Sequence, residues 1–123
     1  MESFKLPHDH GKETRFSQIP DEDKFSTAAE LFKLLGDSSR IQIFWILCHC
    51  EQCVINLSAM MRMSSPAVSH HLKLLRAMGL VVSRREGKEV YYKAANTELS
   101  HQLHLMIEKM VEVSCPGIAY IKE

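Results

Sequence analysis

The stretch "SSPAVSHHLKLLRAMGLVVSRREGKEVYYKA", residues 64–94, decides the fold. Ser64 or Ser65 supplies a helix-cap oxygen, and Pro66 falls in the first turn, where its missing N–H costs nothing. Val68, Leu72, Leu75 and Met78 recur at helical spacing and form a buried stripe, and Gly79 closes the helix. Roughly opposite lie Pro66, Ser69, His70 and Lys73, small or hydrogen-bonding groups able to come close to another surface. Beyond Gly79, Val and Tyr alternate with charges around the turn Glu86-Gly87-Lys88, which reads as two strands.

Upstream, "VINLSAMM" (54–61) fits a short helix, followed by the turn "RMSS". Before it, Asp37 or Ser38 caps a helix whose run Ile41, Ile43, Phe44, Trp45, Ile46, Leu47 is apolar nearly all round, the mark of a central buried helix. From Asp21 to Leu35 the set Phe25, Ala28, Phe32, Leu35 predicts another helix, with Gly36 at its C-cap. A last helix, from Thr97 to about Ser114, carries Leu99, Leu103, Met106, Met110 and Val113 in a pattern suited to packing along a second helix. The expected organisation is a polar arm (1–20), one domain (21–114) and a tail (115–123). Its fold class is mainly α with a small β-hairpin, five helices plus a two-stranded wing. Helix, tight turn, capped helix and basic hairpin together make a winged helix-turn-helix.

Composition agrees with a soluble globular chain: 123 residues, 46% hydrophobic and 24% charged. The longest apolar run, "IFWILC" (43–48), is far too short to span a bilayer, and the first residues lack a signal-type apolar core. A cytoplasmic protein with no membrane partner is expected. In a reducing cytosol its four cysteines argue against a disulfide framework. No nucleophile–base–orienter set and no glycine-rich phosphate loop is present, which points away from an enzyme.

Formal net charge is zero, but its distribution is uneven. Residues 62–93 carry seven basic side chains against Glu86 and Glu89, a net +5 between acidic flanks. That is the footprint of a small DNA-contacting surface. A recognition helix entering the major groove needs short polar side chains and one or two cations at its N-terminal half. Ser65, Ser69 and His70 suit base edges or phosphates, Ala67 leaves room for a thymine methyl, and Lys73 and Arg76 reach phosphates. Ser64 belongs to the same expected DNA-contacting set, and the helix N-terminus itself favours an anion. Arg84, Arg85 and Lys88 on the wing would grip backbone or minor groove beside it.

The segments "LFKLLGDSSRIQIFWIL", "MSSPAVSHHLKLLRAMGLV" and "SRREGKEVYYKA" resemble the ArsR/SmtB family of winged-helix repressors, over roughly residues 28–113. Ser38 departs from the proline common there. The resemblance implies a homodimer joined through the first and last helices. It further implies binding to an imperfect palindrome in promoter DNA and release when an inducer binds.

The inducer is approached residue by residue. Positions that would match the family's zinc-type site hold Asn96, Glu98, Lys109 and Glu112, a poor donor set because a protonated lysine cannot ligate. His101, His104 and Glu108 share the polar face of the same helix and offer a different set, with His8, Asp9 or His10 as possible helpers. The family's thiolate motif aligns with "EQCVINL", which keeps Cys53 and has Ile55 for a second cysteine. Cys48, Cys50 and Cys53 still form C-x-C-x-x-C, fit for a thiophilic ion such as Zn, Cd, Pb or As, with His49 or the arm as a further ligand. A third reading is thiol redox or persulfide sensing, pairing Cys48 or Cys50 with Cys115. Structural cysteines, or a metal-buffering or interaction module that does not bind DNA, complete the alternatives.

Overall fold

The computed structural model describes residues 6–8, 10–11 and 16–114. Its elements run α1 (Glu22–Leu34), α2 (Ser38–His49), β1 (Gln52–Cys53), α3 (Val54–Met61), α4 (Ser65–Ala77), β2 (Val81–Glu86), β3 (Glu89–Ala94) and α5 (Glu98–Ser114). The described residues fall into two compact units, one ending at Phe32 and the next beginning at Lys33. In the first, α1 opens on Glu22 and Asp23, acidic groups that suit a helix N-terminus. It buries none of its residues, and Phe25 and Phe32 stand exposed.

The second unit is built around α2. Asp37 caps it by accepting from the Arg40 N–H at 3.0 Å, and this bond holds the Asp37 carboxyl below its ordinary range. Ile43, Phe44, Ile46 and Leu47 are buried, as an all-round apolar helix requires. Leu57 of α3 and Val68, Leu72 and Leu75 of α4 close on that core. Leu103 and Ile107 of α5 are buried with it.

Between α3 and α4 the chain turns through Arg62, which adopts a left-handed φ of 54°. The Met63 N–H donates to Ser58 O at 3.1 Å, and the Ser58 hydroxyl donates to the Met63 carbonyl. Ser64 then caps α4 by accepting from the Ala67 N–H at 3.3 Å, with Pro66 in the first turn. Gly79, at φ 73°, ends the α4 turn, and the Leu80 N–H reaches back to Leu75 O at 3.0 Å.

The hairpin pairs Val81 with Ala94 through Glu86 with Glu89, and Gly87 at φ 63° makes its turn. The expected two-stranded wing proves to be three-stranded. Gln52 and Cys53 pair antiparallel with Tyr92 and Tyr91, giving the order β1-β3-β2. A two-residue strand has no periodicity of its own; only its partner defines it. Thr97 caps α5 through the Ser100 N–H, and the buried Ser100 hydroxyl donates to Leu80 O at 3.1 Å, anchoring α5 to the start of the wing.

Two further differences bear on function. Position 71, three after Val68 and four before Leu75, lies on the inner stripe of α4, and His71 is buried there while Met78 is half-buried. The α5 stripe divides: Leu103 faces the core, whereas Leu99, Met106 and Met110 are exposed. No helix among the described residues is long and apolar enough to cross a membrane.

Candidate DNA-contacting surface and metal-ligand cluster

The inner face of α4 is fixed by burial, so its outer face is fixed too. Ser65, Ser69, His70, Lys73 and Arg76 are exposed along it, and Ala67 is half-buried at the first turn. Ser69, Lys73 and Arg76 border a shallow pocket of about 420 Å³ completed by Leu72, Ala77 and Tyr92. Arg85 and Lys88 are exposed on the hairpin.

Arg84, expected beside them to grip DNA backbone or minor groove, is engaged within the chain. Its guanidinium donates to both oxygens of Glu51, at 2.6 Å for the closest contact, and to Glu86 at 2.8 Å, and it lies 4.8 Å over the Tyr91 ring. The hydrogen bonds from Arg84 lower the Glu51 carboxyl from its ordinary value, and those from Glu51 and Glu86 hold Arg84 firmly in its charged form. No simple spacing links residues 51 and 84; the β1–β3 pairing brings them together.

α4 is joined to the start of α2 through His71. Arg40 donates from Nε to His71 Nδ1 at 3.2 Å and from its terminal nitrogen to Leu34 O at 2.6 Å. Burial lowers the His71 pKa from its ordinary 6.5, against the pull of Asp37. A neutral ring with Nδ1 bare is the form able to accept from Arg40.

The cysteines diverge as α2 ends. Cys48 is on its last turn and half-buried; burial first, and then the Glu108 charge, pushes its thiol up to about 12. Cys50 is the extended C-cap residue (φ −153°, ψ 146°); its exposed thiol is 3.5 Å from Ile46 O and accepts from Gln52. Cys53 is buried on β1 and paired with Tyr91. These three thiols are not gathered into a common ligand group. Cys115, the partner in the redox reading, lies outside the described residues, as does Asp9; His8 and His10 stack on one another at 5.9 Å.

What the fold does gather is His49, His104 and Glu108. His104 and Glu108 are one turn apart on α5, and His49 is the last residue of α2. His104 Nε2 is 2.6 Å from Glu108 Oε1, His49 Nε2 is 3.1 Å from the same oxygen, and the two Nε2 atoms are 3.2 Å apart. Trp45 packs against the His49 ring at 4.3 Å. His101, expected with His104 and Glu108, is exposed and outside this trio. It lines instead a neighbouring pocket of about 320 Å³ walled also by Cys48, His49, Cys50, Glu51 and His104.

Residues 37–83 match the family described as bacterial regulatory protein, arsR family. The chain is 42% identical over 77 residues to a transcriptional repressor SmtB homolog of Synechocystis, covering 63% of this chain and 58% of that protein. It therefore spans little more than half the length of that relative. It is 34% identical over 102 residues to the HTH-type transcriptional regulator KmtR of Mycobacterium tuberculosis, covering 81% of this chain and 75% of that one. Among solved structures, HlyU from Vibrio cholerae superposes with a TM-score of 0.64 at 33% identity, over 77% of this chain and 99% of that chain. The chain belongs to the arsR family of bacterial regulatory proteins.

Proposed function

We propose that this chain is a homodimeric, sequence-specific transcriptional repressor that binds a palindromic promoter site and is released by a metal ion. The observation that carries the reading is the outer face of α4. A capped helix presents Ser65, Ser69, His70 and Lys73 to solvent at one end, with the basic hairpin beside it. Short polar groups at a helix N-terminus suit base edges, and flanking cations suit phosphates. Homodimerisation is supported by Leu99, Met106 and Met110, an apolar stripe on α5 that its own core leaves exposed.

Metal response is supported by the donors around the end of α2 and by relatives named for cadmium and arsenical resistance. Capture by thiolates finds support in Cys48 and Cys50, which border one pocket with His49 and His104. A thiophilic ion would have to draw Cys53 out of its strand to complete a three-thiolate set.

A mobility shift with DNA from the chain's own upstream region tests the reading. Expected is a complex that weakens steeply with salt, is lost in a His70→Ala/Arg85→Ala double variant, and dissociates when a cognate ion is added. Absence of salt-sensitive binding, or binding indifferent to the double variant, overturns it.

A further inference from the structure

We propose that His49, His104 and Glu108 form a binding site for one divalent cation of the zinc class, held by imidazole and carboxylate within a single chain. None of the three is among the positions, Asn96, Glu98, Lys109 and Glu112, that align with the family's zinc-type site, and none is a thiol. The site stands whether or not the chain binds DNA.

Geometry supplies the argument. Three ligand-type atoms from two helices meet at one point, where a hydrogen bond needs only two. Ligands about 2.0–2.1 Å from a tetrahedral ion lie about 3.3 Å from one another. The 3.2 Å between the imidazole nitrogens and the 3.1 Å from His49 to Glu108 are already at that spacing, and only the 2.6 Å contact must open. Each side chain is positioned by its element. The i,i+4 spacing puts His104 and Glu108 on one face of α5, and the Trp45 ring braces His49 one turn before the end of α2. The carbonyl end of a helix favours a nearby cation.

Donor chemistry sets the class of ion. Two imidazoles and one carboxylate suit Zn(II), Co(II) or Ni(II); all-oxygen sites suit Mg(II) and Ca(II), and thiolate sites suit the softer ions. Access is open, since the side chains of His49, His104 and Glu108 are 41%, 25% and 27% exposed. A fourth ligand enters from the pocket that His49 and His104 border, as a water molecule or small anion.

The experiment titrates the full-length chain with Zn(II) by calorimetry and with Co(II) by absorption. One ion per chain is expected, without the near-ultraviolet charge-transfer band that thiolate ligands give Co(II). His49→Ala and Glu108→Gln should each weaken binding by more than about tenfold, with unchanged thermal unfolding of the ion-free variants. A Cys48→Ser/Cys50→Ser/Cys53→Ala variant should bind as the wild type does. Absence of binding overturns the site. So does binding kept by His49→Ala and Glu108→Gln but lost with the cysteines, which would assign the ion to thiolates. DNA binding by the same ion-free preparations is measured separately, so failure of the repressor reading is distinguishable from failure of the site.

Discussion

The outer face of α4 and the corner between α2 and α5 are both rich in polar side chains, yet they spend them in opposite ways. On α4, the side chains of Ser69, Lys73 and Arg76 are exposed and make no side-chain hydrogen bond or ion pair among the described residues. At the α2–α5 corner, His49, His104 and Glu108 turn on one another around a single point. Dispersed, solvent-facing donors along a helix suit a long polyanion, which meets them one at a time. Convergent donors at bonding distance suit something the size of an ion. The difference separates the two proposed activities physically, so each can be broken without the other.

The largest effect expected from breaking one side is on DNA. Ser69→Ala with His70→Ala removes two proposed base-edge or phosphate contacts, each worth about 1–3 kcal/mol, so affinity at fixed salt should fall by about 30-fold or more. Zn(II) affinity should stay the same. A parallel loss of ion binding, measured by calorimetry, would mean that the two regions are not independent.

Adjacent histidines sharpen the same contrast within α4, because His70 faces out and His71 is only 8% exposed. The folded-state pKa of His71 lies below its ordinary 6.5, for burial disfavours the charged ring. The unfolded chain then takes up this proton first as pH falls. Stability contributed by the neutral ring is whole above 6.5 and is lost on descending through 6.5 toward the lower folded value. Asp37, Arg40 and His70 act on the ring, Asp37 alone opposing the shift. Urea unfolding between pH 7.5 and 5.5 should show a slope from this site of at most about 1.4 kcal/mol per pH unit. His71→Gln should remove it, while His70→Gln should leave most of it, because burial is the largest cause of the shift.

Elements built from local signals were legible in the sequence. α3 begins and ends where its apolar run does, Asp37 and Ser64 cap as their side chains allow, and Gly79 and Gly87 stand at left-handed positions. Strand β1 was not legible, because Gln52 and Cys53 become a strand only beside Tyr92 and Tyr91. Nor was the role of His71, a polar residue at an inward position whose partner, Arg40, is 31 residues away. The cysteine spacing looked like a ligand set, but the chain changes from helix to extended backbone between Cys48 and Cys53 and carries the thiols apart. Two of the three members of the cluster were visible in the i,i+4 pair His104 and Glu108. Its third member, His49, is 55 residues before His104 and is brought there only by packing of α2 on α5.

The smallest effect concerns Arg84, a cation beside the proposed DNA-contacting surface that is held by carboxylates much as the corner's side chains hold one another. Arg84 lies on the wing but is clasped by Glu51 and Glu86, so a phosphate approaching it must compete with a carboxylate. Glu51→Gln removes the stronger competitor and one negative charge from the surface. DNA affinity should rise a few-fold, and the slope of log K against log salt should steepen by about 1 as Arg84 adds a phosphate contact. Unchanged affinity and slope would place Arg84 outside the DNA footprint. The same variant probes communication between the regions, because Glu51 follows His49 by two residues and borders the same pocket. An ion that fixes His49 against α5 also fixes the backbone carrying Glu51, and so the hold on Arg84. If that is how ion binding reaches the DNA face, the difference in DNA affinity between ion-loaded and ion-free chain should shrink in Glu51→Gln. A difference as large as that of the wild type would send the coupling instead through α5 and its exposed stripe to the second subunit.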